Sequence, residues 1–238
     1  MTRQEFLDRF YLTYDKFNSL SSPGYIPAEI EVMASEAQEI LVINAYNPQS
    51  NRLKEGFEET EKRIQDLGEL VRNKVLTPLP VSADNMPNGR FFLLPNTLLT
   101  DPTDYSDVFW FTVFEEAITN DTCGERKEIV EINHNEYRQL ISDPFNKPSK
   151  AKVWRMRIEG LRQELITDGT YNVTGYHLRY IKKPEPIILT SNLTSQVSEL
   201  SDQVHREILR KTLLLALKDT ANTERLENEL KTNNSFIE

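Results

Sequence analysis

Aromatic residues recur at Phe6, Phe10, Tyr14 and Phe17, spacings of four, four and three that put four rings on one stripe of a short helix. Such a stripe needs a surface to pack on. Ser21-Ser22-Pro23-Gly24 breaks the pattern and Pro27 suits the first turn of a second helix. Ile30, Met33, Ala37, Ile40 and Leu41 form the apolar side of that helix, which ends near Asn47-Pro48. A third helix is predicted from Leu53, Phe57, Ile64, Leu67 and Val71, with Glu58, Glu59, Glu61, Lys62 and Arg63 crowding a solvated face.

From Lys74 the texture changes to short β-branched and aromatic runs separated by Pro, Asn, Asp and Gly. Strands are predicted at Val75 to Val81, Arg90 to Leu94, Val108 to Ile118, Lys127 to Ile132, Lys152 to Ile158, Gln163 to Ile166 and Val173 to Lys182. Asn135 to Ile141 reads as a brief helix ending before Pro144. In the last strand Tyr176, Leu178 and Tyr180 share one face and His177, Arg179 and Ile181 the other, until Pro184 and Pro186 stop the ladder. A Ser201-Asp202 cap then opens a final helix whose run Leu213 to Leu217 is apolar on every side, which predicts burial all round. The tail from Thr220 to Glu238 is polar, helical at first through Leu226 and Leu230. Helices, then strands, then a helix predict an α+β fold in which the N- and C-terminal helices pack as a helical core and a strand-rich insertion emerges between them. The expected segments are 1–74, the N-terminal helices of the core, then 75–190, the β-rich insertion with one short helix, and 191–238, the closing helix and polar tail.

Composition narrows the function classes. With 238 residues, 38% hydrophobic and 27% charged, the chain can bury a sizeable core. A net charge of −9 argues against a dedicated nucleic-acid binder, which needs clustered cations that outweigh local carboxylates. Cys123 is the only cysteine, so an intramolecular disulfide and a cysteine-rich zinc site are both excluded. Met1 to Glu5 lacks the apolar run of a signal peptide and no window approaches the roughly 18 apolar residues of a membrane span. Synthesis in a cytoplasm is the expectation.

No catalytic, cofactor-binding or metal-ligating residue is assigned. His134, His177 and His205 stand far apart, and Asp101, Asp104 and Asp107 lack the alternation, central Gly and distal Glu of an EF-hand. The eight glycines never fall into GxGxxG or Walker spacing. Cys123 sits in a turn signature with only Arg126 nearby, and Ser198 and Ser201 near His205 read as cappers. Lys147, Lys150, Lys152, Arg155 and Arg157, with the pair Lys182-Lys183, make the middle of the chain locally basic, which suits a subunit contact, plain solvation or phosphate contact. Trp110, in Val108 to Phe114, reads as core or interface.

The turn Asp143-Pro144-Phe145-Asn146-Lys147-Pro148, preceded by Glu136 to Leu140 and followed by Val153-Trp154-Arg155, resembles virion structural proteins of crAss-like tailed bacteriophages. The strand Tyr176 to Pro184 and a helix opening on Glu199-Leu200-Ser201 share that resemblance, which covers roughly residues 134 to 217. More loosely, the helix, insertion, helix layout is similar to head-to-tail adaptors of short-tailed phages. The resemblance implies a ring-forming connector below the portal, in about twelve copies, that touches itself, the portal and other neck and tail proteins. Genomic DNA would pass through its channel without specific binding, and the protein would reside in the virion after synthesis in the host cytoplasm. It implies no enzyme activity, cofactor, membrane or small-molecule substrate. Two rival readings are a non-viral adaptor that binds one partner through the aromatic N-terminal helix, and a virion-associated enzyme with Glu115-Glu116 or Asp101, Asp104 and Asp107 as first suspects.

Overall fold

The computed structural model describes residues 1–17, 24–47, 57–82, 84–122 and 125–219. Leu53, Cys123 and the tail from Thr220 lie outside them, as does the side chain of Phe17. The elements run α1 (Arg3–Phe17), α2 (Pro27–Tyr46), α3 (Glu61–Leu67), β1 (Val71–Leu76), β2 (Gly89–Leu93), β3 (Phe109–Thr119), β4 (Arg126–Glu131), α4 (Tyr137–Ser142), β5 (Lys152–Glu159), β6 (Arg162–Ile166), β7 (Val173–Lys182) and α5 (Asp202–Asp219). The fold is α+β. It divides into two compact units, one of Met1–Leu70 with Pro184–Glu238 and the other of Val71–Lys183.

The first unit is helical. The aromatic stripe of α1 is its inner face: Phe6, Phe10 and Tyr14 are buried, and Phe10 stacks on Tyr14 at 5.8 Å between centroids. Tyr25 closes over Tyr14 edge-on at 5.3 Å and donates its hydroxyl to the Ala216 carbonyl of α5 at 2.9 Å. Pro27 takes the first turn of α2, and Glu29 accepts from the Ile26 N–H at 2.9 Å, one half of a capping box. Between α2 and the segment before α5, Gln38 donates to the Glu185 carbonyl and accepts from the Ser198 hydroxyl. In the Leu-rich run of α5, Leu213, Ala216 and Leu217 are buried while Leu214 and Leu215 are half-buried, so the predicted burial holds for part of the circumference only.

The third predicted helix is shorter than expected. Thr60 caps α3 by accepting from Arg63 N–H, the helix tightens to a 3₁₀ turn over Gly68–Leu70, and Val71 already belongs to β1. Gly68 is a poor helix former, and Val71 exchanges a helical neighbour for a ladder partner, Ile181 of β7. Strand β1 therefore begins four residues before the expected Val75 and ends at Leu76, ahead of Pro78 and Pro80.

The second unit is one seven-stranded sheet in the order β1-β7-β3-β4-β5-β6-β2. Among the described strands only β4 and β5 pair in parallel, and the connection between them carries α4. The sheet curls on itself. After β1 the chain carries Leu79 to the far edge strand, where its N–H donates to Phe91 O at 2.7 Å. Inside the curl, Phe92 of β2 meets Tyr176 of β7 at 5.6 Å although four strands separate the two around the sheet. Tyr176, Leu178 and Tyr180 join Phe92, Val153 and Leu165 in the enclosed core, as the period-2 reading of β7 requires. A second, smaller core lies on the outer face, where Trp154, Met156, Ile166 and Ile132 are covered by Tyr137 and Leu140 of α4 and by Met86.

Gly89 is fixed by a close approach. A methyl group there would sit 2.1 Å from Glu164 Oε1, and that oxygen already accepts from Met86 N–H at 2.6 Å inside the unit. Gly160 has open space. Gly89→Ala should lower unfolding free energy by about 1–3 kcal/mol through overpacking, while Gly160→Ala stays within about 0.5 kcal/mol of the parent. Urea denaturation of both variants checks this, and equal midpoints would contradict it.

Candidate interaction surface

The acidic pair suspected from sequence does not form one site. Period 2 on β3 sends Glu115 and Glu116 to opposite faces. Glu116 points outward, bonded to Arg126 at 2.7 Å and 3.6 Å from His177 Nδ1. Glu115 points into the curl, where Arg155 Nη1 donates to it at 3.0 Å and the Tyr176 hydroxyl lies 2.5 Å away. Tyr176 also reaches Gln163 Oε1 at 2.8 Å, and the other end of the Arg155 guanidinium meets Glu131. Strands β3, β4, β5, β6 and β7 are thus joined by one polar network.

Burial pushes the Glu115 carboxyl above its ordinary range, opposed by Arg155 and the Tyr176 hydroxyl. Burial also pushes the Tyr176 hydroxyl up, and the neighbouring Glu115 adds to this. Arg155 is drawn down by burial but held above its ordinary value by Glu115, Tyr176 and Glu131. One guanidinium, Arg155, bridges two carboxylates, Glu115 and Glu131, so the network is a structural tie between strands.

The other candidate residues are also spread out. Asp101 and Asp104 each fold back on a following residue, Thr103 and Ser106, whereas Asp107 bonds Lys74 and the Tyr180 hydroxyl. His134 lies 2.7 Å from the Arg157 carbonyl, His177 2.7 Å from Asn73 Oδ1, and buried His205 3.2 Å from the Ser198 carbonyl. Ser201 donates to Asp66. Among the described residues no group of three or more His, Cys, Asp or Glu could hold a metal ion, and no helix is long and apolar enough to cross a membrane. The basic series separates as well: Arg155 and Lys182 are buried, Lys182 donating to the Tyr105 carbonyl, while Lys147, Lys150 and Arg157 are exposed. Trp110 is half-buried and stacks on Phe111 at 4.7 Å.

What stands out on the surface is the turn after α4. Asp143 accepts from the Phe145 N–H at 2.9 Å and from the Asn146 amide at 2.6 Å, bonds that hold its carboxyl below the usual range. Lys152 donates to the Phe145 carbonyl and Trp154 to the Asn146 carbonyl, both at 3.2 Å. This tightly bonded turn leaves Phe145 88% exposed, and Arg138, Ile141, Lys147 and Lys150 in the flanking sequence are exposed as well. A second exposed feature lies on α2: Val32 at 69% and Ile43 at 36%, interleaved with exposed Glu29 and Glu36. Residues 24–47 hold four glutamates and no lysine or arginine.

A family model described as phage tail ring protein 3/4 matches residues 1–227, and the chain belongs to that family. It is 30% identical over 234 residues to "Ring protein 4/5" of Bacteroides phage crAss001, covering 91% of this chain and 92% of that protein. It is also 30% identical over 236 residues to "Ring protein 3" of the same phage, covering 91% of this chain and 95% of that one. The resemblance to crAss-like virion proteins, seen first in residues 134 to 217, therefore extends over nearly the whole chain.

Replacing Arg155 by Met should cost about 3–5 kcal/mol at neutral pH, because Glu115 is left buried without its cation. The Glu115 carboxyl then rises further, and the folded state keeps a proton that the unfolded chain releases above the ordinary value of 4.5. Stability of the variant falls as pH rises from there, so the deficit shrinks on acidification, and Glu115→Leu in the same chain recovers part of it. Denaturant titrations at pH 5 and pH 7.5 check this, and a deficit that does not change with pH would contradict it.

Proposed function

We propose that this chain is a ring-forming head-to-tail connector of a tailed-phage virion. Copies of it, about twelve, close into a ring below the portal, link capsid to tail and surround the channel through which genomic DNA passes. Family membership over residues 1–227, with two ring proteins of one phage matched nearly end to end, is the observation that carries this reading. Closed rings use heterologous contacts, so each subunit must offer two different faces, and an exposed basic turn and an exposed acidic helix supply two of unlike character. The net charge of −9 suits a channel wall past which DNA slides without adhering.

In the same reading the helical unit is the body of the subunit, built from the N- and C-terminal helices, and the sheet unit is an insertion in it. The sheet unit's two ends are neighbours, because Val71 pairs with Ile181, and an insertion with adjacent ends leaves its host core continuous. The role is structural. Glu115 and Glu116, the first suspects for catalysis, face apart, and Glu115 is consumed by Arg155 and Tyr176.

Light scattering of the purified chain, alone and mixed with portal and neck proteins of its own particle, tests the reading. The expected result is a discrete species of about twelve copies, alone or on the portal. A chain that stays monomeric under both conditions would overturn it.

A further inference from the structure

The geometry points to the Phe145 turn as a knob that docks on the α2 helix of a neighbouring copy of this chain, an inference that rests on the ring reading. An exposed phenylalanine on a loop is ordinarily free to fold back onto apolar surface. Here the backbone that carries it is not free to move, because Asp143, Lys152 and Trp154 bond its N–H and the carbonyls of Phe145 and Asn146. The backbone ordering cost of presenting an aromatic anchor is met within the monomer, a condition that favours its contribution to association.

Charge selects the occupant. From residue 138 to residue 152 the turn and its flanks carry four cations, Arg138, Lys147, Lys150 and Lys152, and one carboxylate, Asp143, in a chain whose net charge is −9. The complementary surface must be apolar, acidic and free of cations. Helix α2 meets all three conditions: Val32 is exposed between Glu29 and Glu36, Ile43 is exposed two turns further on, and no lysine or arginine occurs from residue 24 to residue 47. Turn and helix are different surfaces, so the contact is heterologous and repeats from copy to copy, as a ring requires. Opposite charges around the anchor favour this register over a turn-to-turn or helix-to-helix pairing, each of which sets like charges together.

The test places the photoreactive residue p-benzoylphenylalanine at position 145 in the full chain, mixed with isotope-labelled parent chain, and reads crosslinked peptides by mass spectrometry after irradiation. Crosslinks between labelled and unlabelled chains should land within residues 26–46. Phe145→Ala should weaken self-association at least about tenfold, Lys147→Glu should weaken it, and Glu36→Lys in the same chain should restore part of the loss. If the parent forms its ring but the crosslinks fall elsewhere, or Phe145→Ala assembles as well as the parent, the inference is overturned and the ring reading stands. If the parent does not self-associate, alone or with the portal and neck proteins of its particle, and yields no crosslink between copies, both fall. Circular dichroism of Phe145→Ala should match the parent, since Phe145 is 88% exposed.

Discussion

Strand β7 is the constraint on which the sheet unit depends. It is bonded along both edges, to β1 and to β3, so its outer and inner faces are fixed with no freedom to slip by one residue. Its inward tyrosines are long enough to span the curl: Tyr176 touches Phe92 of β2, Glu115 of β3 and Gln163 of β6, and Tyr180 reaches Asp107 at the end of the loop before β3. Because Tyr176 is buried, its hydroxyl must find a partner, and Glu115 must in turn be met by Arg155. Curling the sheet brings these groups together, and the cost of leaving any one unpaired resists flattening it.

The extent and facing of β7 were legible in the sequence because alternation and a double proline stop are local signals. Val173–Lys182 is the strand predicted, and the other strands except the first begin and end within about one residue of their expected bounds. The first strand was hidden because Ile64, Leu67 and Val71 continue a helical period, and only the long-range pairing of Val71 with Ile181 decides against it. Pairing order was not legible either, since the β4–β5 parallel contact and the approach of Leu79 to Phe91 join residues far apart in sequence. The candidate surface was half legible. Asp143 and Asn146 announce a turn, but a phenylalanine within it reads as a residue to be buried, and only its exposure beside Lys147 and Lys150 shows otherwise.

Interior and surface divide the labour. Inside the sheet unit Glu115 is answered by Arg155 and the buried lysine Lys127 by Asp121 at 2.8 Å, while buried Glu164 and Lys182 bond to backbone groups of Met86 and Tyr105. On the surface the two apolar features lie in stretches of unlike charge: cations outnumber carboxylates in the sequence flanking Phe145, and α2 carries carboxylates and no cation. A protein that performed its task alone would have no use for an aromatic ring held out in water by a rigid turn. One that repeats around an axis does, because every copy supplies the partner for the next.

The central claim is that this chain closes into a ring in the virion. Cryo-electron microscopy of the purified particle addresses it most directly. The account predicts a closed ring of this chain on the tail axis, at the neck or tail, with the Phe145 turn of each copy against α2 of the next. Absence of the chain from the particle, or its presence only as separate copies away from that axis, would contradict it.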